Sequence, residues 1–237
     1  LDIILKECME LSYTAPLLSQ EVIEKAKKLN TTLISDALGC TGSMDYQVKP
    51  VAPGMKVVGT ALTVDMRAGD NLFLHQGIYC GGEGYVLVAD GKGHTENAYL
   101  GELMAGAAKA MGLEGIVIDG FVRDKEMLGE IGLPIFAKGF IPNGPFKNGP
   151  GAINTPISCA GVTVHPGDLI VGDEDGVIVV PKDKIEDALQ KAENKLKYEE
   201  KRLQTIANYK EKRKQGNVDG VSIAPPWLED KIKEFGF

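Results

Sequence analysis

The sequence predicts an α/β fold with a parallel βαβαβ core and a C-terminal helix. Two observations predict the core. Short apolar runs, Tyr85 to Asp90, Gly115 to Asp119 and Pro134 to Ala137, alternate with stretches of helical spacing. Runs this short and this apolar read as buried strands. Strand, helix, strand, helix, strand at this spacing requires right-handed parallel crossovers. The third observation is a charged segment from 183 to about 214 that carries Ile185, Leu189, Ala192, Leu196, Leu203 and Ile206 on one stripe. That mixed three-and-four spacing is a helix packing against a partner surface.

The remaining elements follow in chain order. Residues 1 to about 40 read as helical. Ser19 can cap Gln20 to Leu29, and Thr31 or Thr32 can cap a second short helix ending at Gly39. Residues 41–60 are rich in turn formers, with Pro50, Pro53 and Gly54, and Val57 to Val64 reads as a strand. Between the first two core strands, Leu103, Met104, Ala107, Ala108 and Met111 recur at helical spacing and Gly112 closes the helix. Asp124 to Ile131 reads as the next helix, stopped by Gly132. The loop Pro142 to Gly151 is too short for a domain linker. Val162 to Val164, Asp168 to Val171 and Val177 to Val180 are strand signals, with a hairpin turn at Asp173-Glu174-Asp175-Gly176 and a stop at Pro181. The organisation expected is N-terminal helices over 1–40, an α/β core over 41–181, and a C-terminal helix and tail over 182–237. The tail should pack on the core or on a neighbouring subunit.

Composition bounds the function. A chain of 237 residues suits one large domain that buries a core without staples. With 43% hydrophobic and 25% charged residues, wholesale disorder is excluded. A net charge of −7 is the wrong sign for non-specific nucleic-acid binding. No apolar run is long enough to span a membrane, and Leu1 to Lys6 lacks the pattern of a signal peptide. Cys8, Cys40, Cys80 and Cys159 show neither C-x-x-C nor zinc-like spacing. They are expected to be reduced thiols in a cytoplasmic protein.

Ligands of a parallel sheet bind beyond the carboxyl ends of its strands. Asp90 and then Gly101-Glu102-Leu103-Met104 follow the first core strand; Asp119-Gly120-Phe121-Val122-Arg123-Asp124 ends the second. Parallel crossovers bring both sets to one edge. Glu102 and Asp124 can there share a divalent cation, directly or through water, with Arg123 as a fixed positive fork. The first-turn amides from Gly101 to Met104 lack intrahelical partners and suit a small carboxylate. A structural reading competes: Glu102 also suits the helix dipole, and Asp124 can simply cap the next helix. His75, His94 and His165 are too scattered in sequence for a metal triad to be the leading reading. Gly81 to Gly84 precedes its strand, and Gly91-Lys92-Gly93 meets Glu96 where a dinucleotide loop needs a third glycine. Neither supports a nicotinamide or methyl-donor cofactor.

Gly101-Glu102-Leu103-Met104 followed by Arg123-Asp124 resembles the signature of the RraA-like family. Thr32 to Gly39, Gly69-Asp70-Asn71, Gly115 to Gly120, and Val164-His165-Pro166-Gly167-Asp168 through Pro181 fall in the family's order. The likeness covers roughly residues 20–205. It implies a swivelling α/β/β fold assembled as homotrimers or homohexamers. It also implies a class II pyruvate aldolase that cleaves 4-hydroxy-4-methyl-2-oxoglutarate or a related 2-keto acid and decarboxylates oxaloacetate. On this chain it implies that Asp124 ligates Mg²⁺ or Mn²⁺ and that Glu102 holds a metal-bound water. Arg123 would contact the keto oxygen, with the amides of Gly101, Glu102, Leu103 and Met104 on the substrate carboxylate. The alternative it carries is a regulator that binds and inhibits an RNase E-type ribonuclease; a methyltransferase reading lacks its cofactor loop. The chain departs from the family at Glu102, where some aldolases carry Asp. It departs also in the Pro142–Gly151 loop with Lys147, and in the extension past about residue 205.

Overall fold

The computed structural model describes residues 14–217 and 222–236. It divides into two compact units, Leu1–Ala192 and Glu193–Phe237. In the first, α1 (Gln20–Ala26) and α2 (Thr31–Ala37) lead into β1 (Lys49–Pro50) and β2 (Val57–Met66). Next come α3 (Leu72–Cys80), β3 (Tyr85–Ala98), α4 (Glu102–Ala110), β4 (Gly115–Val122), α5 (Lys125–Glu130) and β5 (Ile135–Ala137). Six short strands complete the unit: β6 (Gly139–Phe140), β7 (Gly151–Ile153), β8 (Ile157–Cys159), β9 (Val162–Val164), β10 (Leu169–Asp173) and β11 (Gly176–Val180). The 30-residue α6 (Ile185–Lys214) starts in this unit and continues into the second, which also holds α7 (Pro226–Glu234).

The main sheet has nine strands in the order β1-β5-β4-β3-β2-β10-β11, with β6 on β4 and β7 on β2. The expected parallel core is present: β3 pairs parallel with β4, and β4 with β5. β2 extends it, pairing parallel with β3 from Thr60↔Tyr85 to Asp65↔Asp90. β10 and β11 form the hairpin read at Asp173 to Gly176. β1, at one end of the order, lies against β10 and β11 at the other, which makes the sheet nearly closed and barrel-like. Its interior is filled by Val, Ile and Leu from β2, β3 and β4, together with Phe136.

Several local readings need correction. The second N-terminal helix is capped by Asn30, whose Oδ1 accepts the Leu33 amide at 2.9 Å, not by Thr31 or Thr32. Thr31 instead bonds Asp173, through its amide at 2.9 Å and its hydroxyl at 2.7 Å. Helix α3 was not expected. Its buried face is Leu74, Gly77 and Ile78, and a Cβ at Gly77 would meet Val64 at 2.7 Å, so glycine lets the helix lie close to β2. Cys80, at its end, is disulfide-bonded, which corrects the reduced-thiol expectation there. Cys40 and Cys159 are free, and burial pushes the Cys159 thiol well up. Cys8 and the expected helix over the first 13 residues lie outside the described residues. Among the described residues no helix is long and apolar enough to cross a membrane.

Two features carry the strand ends toward a site. β3 shifts register after Ala89, and Lys92 adopts φ 58°, so β3 runs past the sheet edge to deliver Tyr99, Leu100 and Gly101. The Pro142–Gly151 loop is fastened to residues 69–71: Phe146 N donates to Gly69 O and Asn71 N to Phe146 O. Buried Asp70 accepts the Leu72 amide on Oδ1 at 3.0 Å and the amides of Asn148 and Gly149 on Oδ2 at 2.5 and 3.0 Å. Burial by itself would raise the Asp70 carboxyl. Those three amides, with Arg67 nearby, outweigh it and hold the group below the usual carboxylate range.

Asp70→Asn replaces an acceptor by a donor facing two amides, and should cost about 2–3 kcal/mol of folding stability in denaturant titrations at pH 7. The sign with pH follows from the lowered value. The native state binds the proton less tightly than the unfolded chain, so the stabilisation is complete above about pH 4 and fades as pH falls through the depressed native value. The stability gap between wild type and Asp70→Asn should therefore narrow below about pH 4.

Candidate active site

Residues 101–104 and 123–124 meet as the sequence reading requires. Gly101 sits in an extended conformation before α4, and Asp124 stands at the start of α5 with φ 60° and ψ 45°. Asp124 does not cap α5 with its side chain. Its Oδ2 instead accepts the Glu102 amide at 3.0 Å, so a side chain from the end of β4 closes the first turn of α4. A Cβ at Gly101 would collide with Asp124 Oδ2 and press on Arg123 at 3.1 Å, so the junction needs glycine at 101. The left-handed backbone of Asp124 costs about 1 kcal/mol or more, and Asp tolerates it better than most residues.

This bond changes one detail of the expected carboxylate cradle. The Glu102 amide is already used by Asp124. The amides of Gly101, Leu103 and Met104 have no partner among the described residues and remain for a ligand. Arg123 donates its own amide to Leu100 O at 2.9 Å, which fixes its backbone. Its guanidinium lies with Nε 3.9 Å from Asp124 Oδ2 and stays 44% exposed, so the fork is turned outward beside the carboxylate.

The other strand-end carboxylates are already committed. Asp90 pairs with Lys92, and Lys92 also reaches Asp65, both at 2.5 Å. Asp119 is buried, paired with Lys138 at 2.6 Å and bonded to the Ala160 amide at 2.9 Å. Asp124 Oδ1 and the Glu102 carboxylate make no hydrogen bond among the described residues. Those two groups are what this edge offers a cation. Among the described residues no three His, Cys, Asp or Glu side chains gather as a metal cage. His94 is engaged with Asn97 at 2.9 Å and His165 lies 3.7 Å from Asp168, so no histidine triad exists. A donor set of one or two carboxylates with free positions fits Mg²⁺ or Mn²⁺, which keep waters and take substrate oxygens.

These groups border a cavity of about 410 Å³. A second part of its lining is Asn71, His75 and Lys147, which the sequence reading did not place in the site. Burial, reinforced by the Lys147 ammonium, lowers the His75 imidazole below its ordinary value and keeps it neutral at pH 7. Asn71 is almost fully buried; its Nδ2 donates to Tyr99 O at 2.8 Å and to Met104 Sδ at 3.1 Å, and its Oδ1 has no partner. Two signals for this wall were present: the ordered Gly69-Asp70-Asn71 triplet, and a histidine four residues beyond Asn71, one helical turn on. Both needed α3 to be recognised. A cavity of about 450 Å³ borders Lys56 and Lys109 elsewhere on the unit, but its acids, Glu114 and Asp173, are bonded to backbone amides.

Comparison with known proteins identifies the chain's relatives. The RraA-like family, described as Aldolase/RraA, matches residues 31–179, which include every residue of the cavity. A Halalkalibacterium halodurans protein named "Putative 4-hydroxy-4-methyl-2-oxoglutarate aldolase" is 41% identical over 188 residues, covering 79% of this chain and 90% of its own. A crystal structure of an uncharacterized protein from Pseudomonas syringae superposes with TM-score 0.75 at 26% identity, over 88% of this chain and 93% of that one. The RNA-processing inhibitor RraA from Thermus thermophilis superposes with TM-score 0.60 at 31% identity, over 64% of this chain and 92% of that one. Matched by the family model over residues 31–179, and similar in sequence and fold to its members, the chain belongs to the RraA-like (Aldolase/RraA) family.

Proposed function

We propose that the chain is a divalent-metal-dependent carbon–carbon lyase. It cleaves 4-hydroxy-4-methyl-2-oxoglutarate, or a related 2-keto acid, to pyruvate, and it decarboxylates oxaloacetate. The observation that carries the reading is the pairing of Asp124 and Arg123 over unpaired helix amides, with Asp124 Oδ1 left free. Breaking the C3–C4 bond leaves its electron pair in an enolate with negative charge on the 2-keto oxygen, while the C4 hydroxyl gives up its proton to become a carbonyl or, in oxaloacetate, C4 leaves as carbon dioxide. The Arg123 guanidinium would be the donor for that charge, and a donor already in place stabilises developing charge without reorganising. The amides of Gly101, Leu103 and Met104 would hold the substrate carboxylate, and Asp124 with Glu102, through a water, would hold Mg²⁺ or Mn²⁺. Such a cation, when bound, would act as the Lewis acid for the keto acid. Neutral His75 beside Lys147 gives that part of the lining a polar, cationic character suited to the second carboxylate of a dicarboxylic substrate.

The reading extends to a cytoplasmic homotrimer or homohexamer, without nucleic-acid or membrane partners. Of the stripe on α6, Ile185, Leu189 and Ala192 are buried, whereas Leu203 is 65% exposed. That leaves apolar surface for a neighbouring subunit, and Glu199 or Glu200 would then approach another chain's site. The likeness to the Thermus RNA-processing inhibitor supports a second reading, a ribonuclease regulator. A pulldown with an RNase E-type enzyme separates the two from the protein side.

Pyruvate release from both acids should stop in EDTA and return with Mg²⁺ or Mn²⁺; full activity in metal-free protein would remove the class II assignment. Arg123→Ala should lower kcat by about a hundredfold, the scale of losing one electrostatic stabiliser. Arg123→Lys should recover only part of it, because a point charge lacks the planar fork. A change confined to KM would make Arg123 a ground-state binder instead. Leu196→Asp with Leu203→Asp should dissociate the oligomer and reduce activity together, and light scattering that finds a fully active monomer would contradict completion of the site across subunits.

A further inference from the structure

The two walls of the cavity come from different parts of the chain, and one side chain joins them. Tyr99 lies two residues before Gly101 and is the largest fully buried residue of the described chain. Its hydroxyl donates to Gly91 O at 2.6 Å and accepts the Gly69 amide at 2.8 Å. Its carbonyl accepts Asn71 Nδ2 at 2.8 Å, and its amide donates to Phe121 O at 2.8 Å. Since Asn71 Oδ1 has no partner, the carboxamide is held through Nδ2 alone, by Tyr99 O and Met104 Sδ. Residues 69–71 in turn hold the loop that presents Lys147, through Gly69 O, Asn71 N and the Asp70 carboxylate.

We propose that Tyr99 is a positioning residue that fixes the part of the lining formed by Asn71, His75 and Lys147 relative to the Gly101–Met104 amides, and so determines which length of 2-keto acid the cavity accepts. The proposal rests on the lyase reading above. The ring is clamped independently of its hydroxyl: a Cβ at Gly91 or Gly120 would press into it at 2.7 or 2.5 Å, so both glycines make room for it. Burial, with the charges of Asp90 and Asp119 nearby, raises the phenol above its ordinary value, so the hydroxyl stays protonated and can donate to Gly91 while accepting from Gly69. Removing the oxygen leaves the ring seated and releases Gly69. Gly69 has φ 73°, the backbone freedom of glycine, so the wall can shift there without a steric barrier. A three-carbon acid that touches only the amides and Arg123 does not reach the released wall. A longer acid does.

The test is Tyr99→Phe, checked for an intact melting transition. The KM for 4-hydroxy-4-methyl-2-oxoglutarate should rise roughly tenfold, the scale of one hydrogen bond. The product-inhibition constant of pyruvate should stay within about twofold, since pyruvate spans none of the braced distance. Hydrogen exchange at the Gly69 and Asn71 amides should quicken in the variant without any substrate present. If Tyr99→Phe does not fold, Asp70→Asn, which lies outside the cavity lining, loosens the same loop and carries the same expectation, with exchange read at Asn148 and Gly149. Equal losses for both acids, no loss for either, or unchanged exchange would overturn the role given to Tyr99. A wild type that releases pyruvate from no 2-keto acid, with exchange responding as expected, would instead overturn the lyase reading.

Discussion

The site depends on one hydrogen bond, from the Glu102 amide to the Asp124 carboxylate. It ties the N-terminus of α4, which follows β3, to the residue that follows β4. Backbone bonds from Tyr99 N to Phe121 O and from Arg123 N to Leu100 O already hold the two segments side by side, and this bond fixes the Asp124 carboxylate on the helix end. A charged acceptor on a helix-terminal amide is among the stronger hydrogen bonds available to a protein, and it is favoured again by the positive end of the helix dipole. The constraint propagates outward. Asp124 reaches the amide only from a left-handed backbone, and Gly101 is the one residue type that leaves space for the approach. Arg123, one position earlier, is aimed by the same turn.

Electrostatic commitment decides which of the many carboxylates here are chemically available. Asp65, Asp90 and Asp119 stand at the ends of parallel strands, the usual place for function, yet each is matched by Lys92 or Lys138. A buried carboxylate without a partner would be costly, so these pairs are what the fold requires of its own strand ends. Asp70 and Asp173 are spent on backbone amides that hold loops and a helix start. What remains is an acid with one free oxygen, an exposed glutamate and an outward guanidinium at a helix N-terminus. Committed and uncommitted acids at this edge are thus separated by their partners, not by their position on the sheet.

The cavity is asymmetric in a way that bears on its chemistry. One wall is backbone amides and an Asp–Arg pair from the core crossovers. The other is the side chains of Asn71 and His75 and of Lys147 from a loop, held by Asp70 and Tyr99. Variation in that loop can change what the cavity accepts without touching the first wall. Such a division, a rigid chemical edge facing an adjustable rim, is what sheets with loop-borne specificity generally show.

The sequence by itself determined the parallel crossovers, because apolar runs this short separated by helical spacing have few other solutions. It also marked Glu102, Arg123 and Asp124, because residues just past parallel strands share one edge. Helix α3 stayed hidden: its buried stripe of Leu74, Gly77 and Ile78 is short and includes a glycine that reads locally as a breaker. With α3 hidden, Asn71 and His75 could not be placed, and Lys147 could be seen only as part of an unusual loop. The Asn30 cap and the bond between Thr31 and Asp173 were equally out of reach, because the second joins positions 142 residues apart. Local patterns reveal periodicity and turn chemistry. Which acid meets which amide or ammonium is decided by long-range packing, and among the described residues of this edge that choice separates the carboxylates matched by lysines from Asp124 Oδ1 and the Glu102 carboxylate, which make no hydrogen bond.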